Sequence, residues 1–345
     1  MGLITLSGDR RDLNPRVPEP QPGALTNFAT IAMCLSILQH KNLFVNSYLE
    51  YLKLWYSIKE MEVIMKIAFV TDSSAGITLE DEKKMGIYVL RMPLTINEET
   101  HLEASTITRD ALIEAMIDGK VVHTSQPNIQ DSLDRFEELL KDYDHIVYLP
   151  ISKFLSGTYD TANMLAQELD GRLTVVDTNF VSWPLRQMTQ DAKALGDLGY
   201  KPEEIKEILE TQSYMYATLI PQDIQYLKRG GRIKPTAAAV ANLLKIMPVL
   251  EVTEGEIDLY EKVRTHRKAL MKAFERILEF QPFDDYHWAV LDGGSDPGLV
   301  ESFTRELEDK TGCPVHQGHI YPIVLGHTGP GTIAFSAVKK IKELV

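Results

Sequence analysis

Cysteine is nearly absent from this chain of 345 residues, which contains only Cys34 and Cys313. The two lie far apart in sequence and match no spacing that is typical of metal ligands or redox pairs. Structural disulfides are common in oxidising compartments and rare in the cytoplasm. We therefore predict no disulfide, no metal site and a cytoplasmic location.

A long hydrophobic run is also missing. The longest apolar run near the N-terminus, residues 28–38, is interrupted by Thr30 and Ser36 and is followed by polar residues. A membrane-spanning helix needs about 20 consecutive apolar residues. The run also lacks the basic flank and the cleavage site of a secretory signal. Neither a transmembrane segment nor export is predicted.

Positive charge is in deficit, because 36 lysines and arginines face 49 aspartates and glutamates, for a net charge of −13. Binding to nucleic-acid phosphates needs a basic face, so no nucleic-acid partner is predicted. Hydrophobic residues make up 44% of the chain and charged residues 25%, as in soluble globular proteins. The length is sufficient for two domains.

The first 64 residues differ from the rest of the chain. Their acidic and basic residues balance, and four prolines fall between Gly8 and Asn27. This composition is typical of an extended or disordered leader. Met65 is followed by the apolar strand pattern of residues 67–70, so we expect the first domain to begin there. We predict that residues 1 to 64 are a non-native or disordered leader, with a small regulatory or docking extension as the alternative.

After Met65, strand patterns and helix patterns alternate, which predicts an α/β fold with a mostly parallel sheet in the first domain, residues 65 to 213. The predicted strands there are 67–71, 88–95, 145–150 and 173–176, and the predicted helices are 109–117, 130–140 and 157–169. From residue 214 to 345 we predict a second α/β domain with a mixed or antiparallel sheet. Its predicted strands are 215–220, 248–252, 256–262, 288–292 and 315–323, and its predicted helices are 235–244, 267–279 and 298–310.

Small hydroxyl residues and glycines concentrate in loops at the ends of predicted strands, where parallel sheets bind ligands. The first three such loops are 71–74, 124–128 and 156–159. The hydroxyls in the first two are explained equally well as helix caps. In the third, Gly157 permits close backbone approach, and the free N–H groups at a helix start favour an anion.

Two further segments combine glycine with chemically useful side chains. In residues 327–332, His-Thr-Gly-Pro-Gly-Thr, a rigid turn would aim the imidazole of His327 and a threonine hydroxyl at one point. In residues 226–233, Lys228, Arg229 and Arg232 surround a glycine pair, which suits recognition of phosphate or carboxylate unless it is only a solvated turn.

Several common catalytic and cofactor-binding motifs are missing. The sequence contains no nucleophile elbow of the form G-x-S-x-G, no phosphate-binding loop ending in Gly-Lys, and no G-x-G-x-x-G after a strand. No cofactor is therefore predicted. The remaining candidates are neutral hydroxyls and one histidine, which suit holding a carboxylate better than breaking bonds.

Read in order, six segments resemble the DegV family, which includes the fatty-acid-binding subunits of bacterial fatty acid kinase. They are MKIAFVTDSSAGI, HTSQPN, ISKFLSGTYDTA, YLKRGGRI, EKVRTHRKAL and LGHTGPGT. The similarity covers about residues 65 to 340. It implies two α/β domains with a fatty acid between them, and no independent enzymatic turnover. The expected partner is a separate ATP-dependent kinase that forms an acyl phosphate, and a lipid ligand also allows transient membrane contact.

The resemblance also implies the binding residues. The family holds the carboxylate with the threonine of its TS-x-P motif, the serine of SGTY and the histidine of HTG, which match Thr124, Ser156 and His327 here. The flanking contacts implied in the same motifs are Ser125, Gly157 and Thr328. The kinase-facing side would carry Lys228, Arg229 and Arg232.

The sequence departs from the family pattern at two places. Asn128 replaces a serine at the end of the first motif, which puts a helix cap in question, and Lys153 and Phe154 replace a polar pair beside the third motif.

Two other functions remain open from the sequence. A serine hydrolase would use Ser156 as nucleophile and His327 as base, with Asp72 to orient the histidine. A binder of nucleotides or sugar phosphates would use the glycine-rich segments 226–233 and 327–332 as anion sites.

Overall fold

The computed structural model describes residues 65–103, 105–239 and 246–345. The predictions for residues 1 to 64 lie outside this range. The described residues form thirteen strands and eleven α-helices. The strands are β1 (Ile67–Asp72), β2 (Tyr88–Leu90), β3 (Pro93–Ile96), β4 (Glu99–Leu102), β5 (Val122–Thr124), β6 (His145–Leu149), β7 (Leu173–Val175), β8 (Met215–Ile220), β9 (Met247–Thr253), β10 (Glu256–Val263), β11 (Tyr286–Asp292), β12 (Val315–His319) and β13 (Ile333–Lys339). The helices are α1 (Leu79–Met85), α2 (Arg109–Ile117), α3 (Ile129–Leu139), α4 (Thr158–Glu168), α5 (Trp183–Asp197), α6 (Pro202–Gln212), α7 (Gln225–Gly230), α8 (Pro235–Ala238), α9 (His266–Ile277), α10 (Pro297–Thr311) and α11 (Pro322–Thr328).

The first sheet contains four strands in the order β2-β1-β6-β7, and every neighbouring pair is parallel. All five residues of β6 are buried, as are five of the six residues of β1. A parallel sheet with helices on both faces buries both sides of its strands, which explains these continuous apolar runs. The predicted mostly parallel sheet is confirmed.

The second sheet contains six strands in the order β10-β9-β8-β13-β11-β12. Its pairs are antiparallel except β11 with β12, so the predicted mixed sheet is also confirmed. All strands of this sheet follow residue 214, whereas all strands of the first sheet precede it. We keep 65–213 and 214–345 as the proposed domains.

A third, three-stranded antiparallel sheet, β4-β3-β5, was not predicted. Residues 88–95 were predicted as one strand, and this is wrong, because β2 and β3 belong to different sheets. Between them, the N–H of Met92 donates to Ser73 Oγ at 3.0 Å instead of continuing the ladder. Arg91 donates to the carbonyl of Ile77 at 2.8 Å, which also directs the chain out of the parallel sheet.

One buried apolar cluster joins the two larger sheets. It includes Phe69 and Leu149 from the first sheet and Leu219 and Leu291 from the second. Separate clusters cover the outer face of each sheet. Burial of this shared surface, at about 25 cal/mol per Å² of apolar area, is the main force that holds the sheets together.

A half-buried ion pair links helix α2 to the second sheet. Arg109 on α2 lies against Asp292 at the end of β11, with Nη2 and Oδ1 2.7 Å apart. Asp292 Oδ2 lies 2.7 Å from His319 Nδ1, and Oδ1 accepts from the N–H of Gly294. Burial alone would raise the pKa of Asp292, but the hydrogen bonds from His319 and Gly294 and the Arg109 charge outweigh burial and lower that pKa.

Replacing Arg109 with Met should lower the free energy of unfolding at neutral pH by about 1–3 kcal/mol, because Asp292 loses a charged donor. The pKa of Asp292 is depressed in the folded state and is about 3.9 in the unfolded chain. The stability from its ionisation is therefore present above about pH 4 and is lost as the pH falls through the folded pKa. In urea unfolding, the difference between Arg109→Met and the unaltered chain should shrink in acid. An equal difference at neutral and acid pH would mean that Arg109 acts through packing alone.

Candidate functional site

Thr124 and Ser125 lie where β5 ends and the chain turns toward α3. Thr124 pairs with Leu94 of β3, so the small third sheet fixes its position. Asn128 caps α3, since its Oδ1 accepts from the backbone N–H of Gln130 at 2.9 Å and of Asp131 at 3.2 Å. The asparagine at this position therefore preserves the helix cap.

Ser156 and Gly157 lie between β6 and α4. The Ser156 hydroxyl is 2.8 Å from the hydroxyl of Thr158, and Gly157 is the N-terminal cap residue of α4 without a side-chain cap. A Cβ on Gly157 would lie 3.0 Å from Oε1 of Gln126, and Gln126 itself donates to Thr161 on α4 at 3.0 Å. Because of these contacts, the second and third predicted loops lie side by side.

His327 occupies the last turn of α11, not a loop. Residues 315–323 were predicted as a strand, but β12 ends at His319 and α11 begins at Pro322. Proline has no N–H for a sheet ladder and is well suited to the first turn of a helix. Gly329 ends the helix with φ 85°, a backbone conformation that would strain a residue with a side chain.

His327 and Thr124 are in direct contact. A hydrogen bond of 2.6 Å joins Nε2 of His327 to Oγ1 of Thr124. The contact depends on Gly326, since a Cβ there would lie 3.0 Å from Cγ1 of Val122 on β5. Burial, then the charges of Arg232 and His123, lower the pKa of His327 to about 4. The imidazole is therefore neutral at physiological pH.

These residues line a cavity of about 220 Å³, here called the apolar cavity. All six residues predicted to bind the ligand line it, namely Thr124, Ser125, Ser156, Gly157, His327 and Thr328. Most of the other lining residues are apolar. They come mainly from strands of the second sheet, for example Met215, Leu219, Ile257 and Leu291, and from loops, for example Leu155 and Val181.

Four polar lining residues were missed as ligand contacts: Gln126, Ser182, Arg232 and Ser336. Ser182 has φ 61°, which is rare for a residue with a side chain. The hydroxyls of Ser336 and Thr328 are buried and have no hydrogen-bond partner among the described residues. Such groups are costly to bury unless a partner is supplied. The spacing of these residues in the sequence gives no sign that they share a cavity.

The predicted partner-binding cations lie near the end of α7. The glycine pair forms a helix terminus, with Gly230 as the last residue of α7 and Gly231, at φ 67°, as its cap. Arg229 is exposed and stacks over the Tyr226 ring, 4.7 Å from its centre. Arg232 donates from Nε to the carbonyl of Leu155 at 3.3 Å and lines the apolar cavity. Lys228 is also exposed, in the last turn of α7.

The geometry does not assemble the hydrolase triad. In the described structure the Ser156 hydroxyl contacts Thr158, and Nε2 of His327 contacts Thr124. Asp72 is fully buried, and its carboxylate accepts hydrogen bonds from the backbone N–H groups of Ser74 and Ile151. Burial raises the pKa of Asp72 despite these hydrogen bonds. The first loop, residues 71–74, therefore supports the structure around β1 and β6.

Two absences apply to the described part of the chain. Across residues 65–103, 105–239 and 246–345, no helix is both long and apolar enough to span a bilayer. Within those same ranges, no group of three or more histidine, cysteine, aspartate or glutamate side chains is placed to hold a metal ion.

Comparison with known proteins agrees with the fold. The family model for uncharacterised proteins of the DegV family matches residues 66–340. The chain belongs to the DegV family. A curated DegV domain-containing protein of Lactococcus lactis, YteA, is 30% identical over 290 residues, which cover 81% of this chain and 100% of the relative.

Solved DegV structures also superpose on this chain. A DegV family protein of Thermus thermophilus, whose structure is described as showing fatty acid binding, is 29% identical to this chain and has a TM-score of 0.70. The match covers 80% of this chain and 100% of that one. DegV of Bacillus subtilis, described as a fatty acid binding protein, is 26% identical and has a TM-score of 0.72. This match also covers 80% of this chain and 100% of that one. The family predicted from the sequence motifs is thus confirmed, and these two solved relatives are described as binding fatty acids.

Proposed function

We propose that this chain binds a long-chain fatty acid in the apolar cavity and presents the carboxylate to a separate ATP-dependent kinase. The observation that carries the proposal is the composition of the cavity. Its wall is mostly apolar, while Thr124, Ser156 and His327 all face the same space. This combination suits a ligand with a long apolar chain and one small polar group.

The apolar wall provides affinity for the chain. Each CH₂ group that moves from water into such a cavity contributes about 0.8 kcal/mol. A long acyl chain therefore binds tightly even after the cost of ordering it is subtracted.

The polar residues suit a carboxylate. A buried carboxylate is costly unless hydrogen bonds satisfy its oxygens. The hydroxyls of Thr124 and Ser156 and the neutral imidazole of His327 are able to supply such bonds. The carboxylate then keeps the nucleophilic character that a phosphoryl transfer requires, and turnover itself is left to the kinase.

The kinase must approach the carboxylate, and we assign this contact to Lys228, Arg229 and Arg232. In a chain with a net charge of −13, these exposed cations form a local positive surface. Charge complementarity between partners acts mainly on the rate of association and on its salt dependence.

Arg229→Glu should slow kinase-dependent acyl phosphate formation by about tenfold at low salt while the amount of bound fatty acid stays unchanged. Arg229 is the best single position, because Arg232 also lines the apolar cavity. Both quantities are to be measured on one preparation, with Arg305→Glu on α10, another exposed arginine, as the control. Full activity of Arg229→Glu with normal lipid content would remove Arg229 from the docking surface.

A further inference from the structure

One polar group in the apolar cavity has no part in the proposed carboxylate site. Ser336 on β13 lines the cavity and is only 1% exposed. Its hydroxyl has no hydrogen-bond partner among the described residues. Burying a hydroxyl without a partner is unfavourable, whereas an alanine would fill nearly the same space without that cost. The Ser336 hydroxyl therefore has hydrogen-bonding capacity that a molecule in the cavity is able to use.

The neighbours of Ser336 on its face of the second sheet are apolar. Side chains alternate along a strand, so Ser336 lies on the same face as Ala334 and Val338, which belong to the cluster between the two larger sheets. Its partners in the strand register are Ala217 on β8 and Ala289 on β11. Such cross-strand partners are the nearest side chains on the face of a sheet. The sheet thus surrounds the hydroxyl with apolar groups, and the cavity is the space from which a partner is able to approach.

Ser336 is separated from the residues assigned to the carboxylate. The hydroxyl of Thr332 donates to the carbonyl of Thr328 at 2.9 Å, next to His327. β13 begins directly after Thr332, and Ser336 is its fourth residue, so three steps of about 3.3 Å place Ser336 roughly 10 Å along the strand. A fatty acid whose carboxylate lies at Thr124 and His327 would therefore bring carbons well along its chain, and not its carboxylate, beside Ser336.

Small side chains leave space for an added oxygen beside Ser336. Ala217 and Ala334 line the cavity with single methyl groups. The inward residues on either side of Ala217 along β8, Met215 and Leu219, are much larger and also line the cavity. A chain that carries an oxygen atom is therefore accommodated more easily next to Ser336 than next to those two residues.

We propose that the apolar cavity takes a fatty acid with a hydroxyl group on its chain, and that Ser336 binds this hydroxyl. The inference rests on the proposed function and deepens it by naming the class of fatty acid. A serine hydroxyl donates and accepts, so it forms a hydrogen bond with an alcohol in either direction. A saturated chain leaves Ser336 without a partner, and a site that hydrogen-bonds a hydroxyl discriminates against the analogue that lacks it.

The test measures affinities by displacement of a fluorescent fatty acid from the full chain. The probes are octadecanoate and its monohydroxy derivatives, which differ only in the mid-chain carbon that carries the hydroxyl. Ser336→Ala removes the hydroxyl and nearly keeps the volume, and Ser302→Ala, at an exposed position on α10, is the matched control. A double variant, Ser336→Ala with Ala334→Ser, moves the hydroxyl two residues along the same face of β13, toward the end that adjoins Thr328.

The unaltered chain and Ser302→Ala should prefer one isomer among the hydroxylated probes. In Ser336→Ala, the affinity for that isomer relative to octadecanoate should fall by about tenfold, because the hydrogen bond is lost and the alcohol is buried without a partner. The double variant should prefer an isomer whose hydroxyl lies closer to the carboxylate.

Two results would count against the inference in different ways. If Ser336→Ala leaves the affinities of all isomers relative to octadecanoate unchanged, the hydroxyl site is overturned while the proposed function stands. If the unaltered chain binds neither octadecanoate nor any hydroxylated isomer, the proposed function itself fails.

Discussion

Thr124→Ala and Ser156→Ala are each expected to retain far less fatty acid than the unaltered chain and to support little or no acyl phosphate formation. Both hydroxyls line the apolar cavity, and Thr124 also holds the imidazole of His327 at 2.6 Å. Losing one hydrogen bond to a charged group costs roughly 1.5–3 kcal/mol, which is about a ten- to hundredfold loss of affinity. Thr124→Ala has the larger expected effect, because it also leaves His327 without its partner.

Fatty acid content after purification and kinase-dependent turnover are the two measurements for these variants. Thr124→Ser keeps the hydroxyl and should restore most of both. Thr211→Ala on α6 and Ser302→Ala on α10 remove the same groups from exposed helix positions and serve as controls. If both site variants carry lipid and support phosphorylation at the original rate, the proposed carboxylate site is wrong.

Gly230→Ala is expected to disable the site without removing any polar side chain. A Cβ on Gly230 would overlap Nδ1 of His327. The ring must move, and the hydrogen bond between its Nε2 and Oγ1 of Thr124 would then be lost. We expect fatty acid affinity to fall by about tenfold or more, which corresponds to one hydrogen bond to a charged group.

The second arm of this experiment shows whether His327 is the cause. In a His327→Ala background there is no ring to displace, so adding Gly230→Ala should change affinity little further. Gly231→Ala is the companion variant, because a Cβ there meets nothing within 4 Å and only the strained φ of 67° is affected. Equal losses from Gly230→Ala with and without the imidazole would mean that the glycine matters for the helix end alone.

The sequence predicted the fold where the local pattern and the tertiary structure agree. The runs at residues 67–71 and 145–150 are apolar and β-branched, and they form the buried centre of the parallel sheet. The helix at Arg109–Ile117 has the predicted bounds, since Thr108 caps its start through its side chain.

The prediction failed where a strand pattern continues but the hydrogen-bonding partner changes. Residues 88–95 are apolar on both sides of Arg91, yet the contact of Met92 with Ser73 moves the second part into another sheet. In residues 315–323 the pattern runs on through a tyrosine and a proline, and Pro322 starts α11. The first change depends on a distant residue that a local window does not contain, whereas the second is signalled locally by Pro322.

The candidate site was predicted from motifs, but its shape was not. The family motifs named six residues, and all of them line one cavity. The missed residues Ser182 and Ser336 belong to a helix start and a strand of the second sheet, and only folding brings them to the same space. The position of Arg232 at the apolar cavity depends in the same way on the end of α7.

The central claim is that the apolar cavity holds a long-chain fatty acid. Native mass spectrometry of the freshly purified chain, followed by release and identification of the bound molecule, tests it most directly. We predict a retained mass equal to one long-chain fatty acid, and its loss in Thr124→Ala. A retained nucleotide or sugar phosphate, or a chain that carries no lipid and steadily hydrolyses long-chain acyl esters, would contradict it.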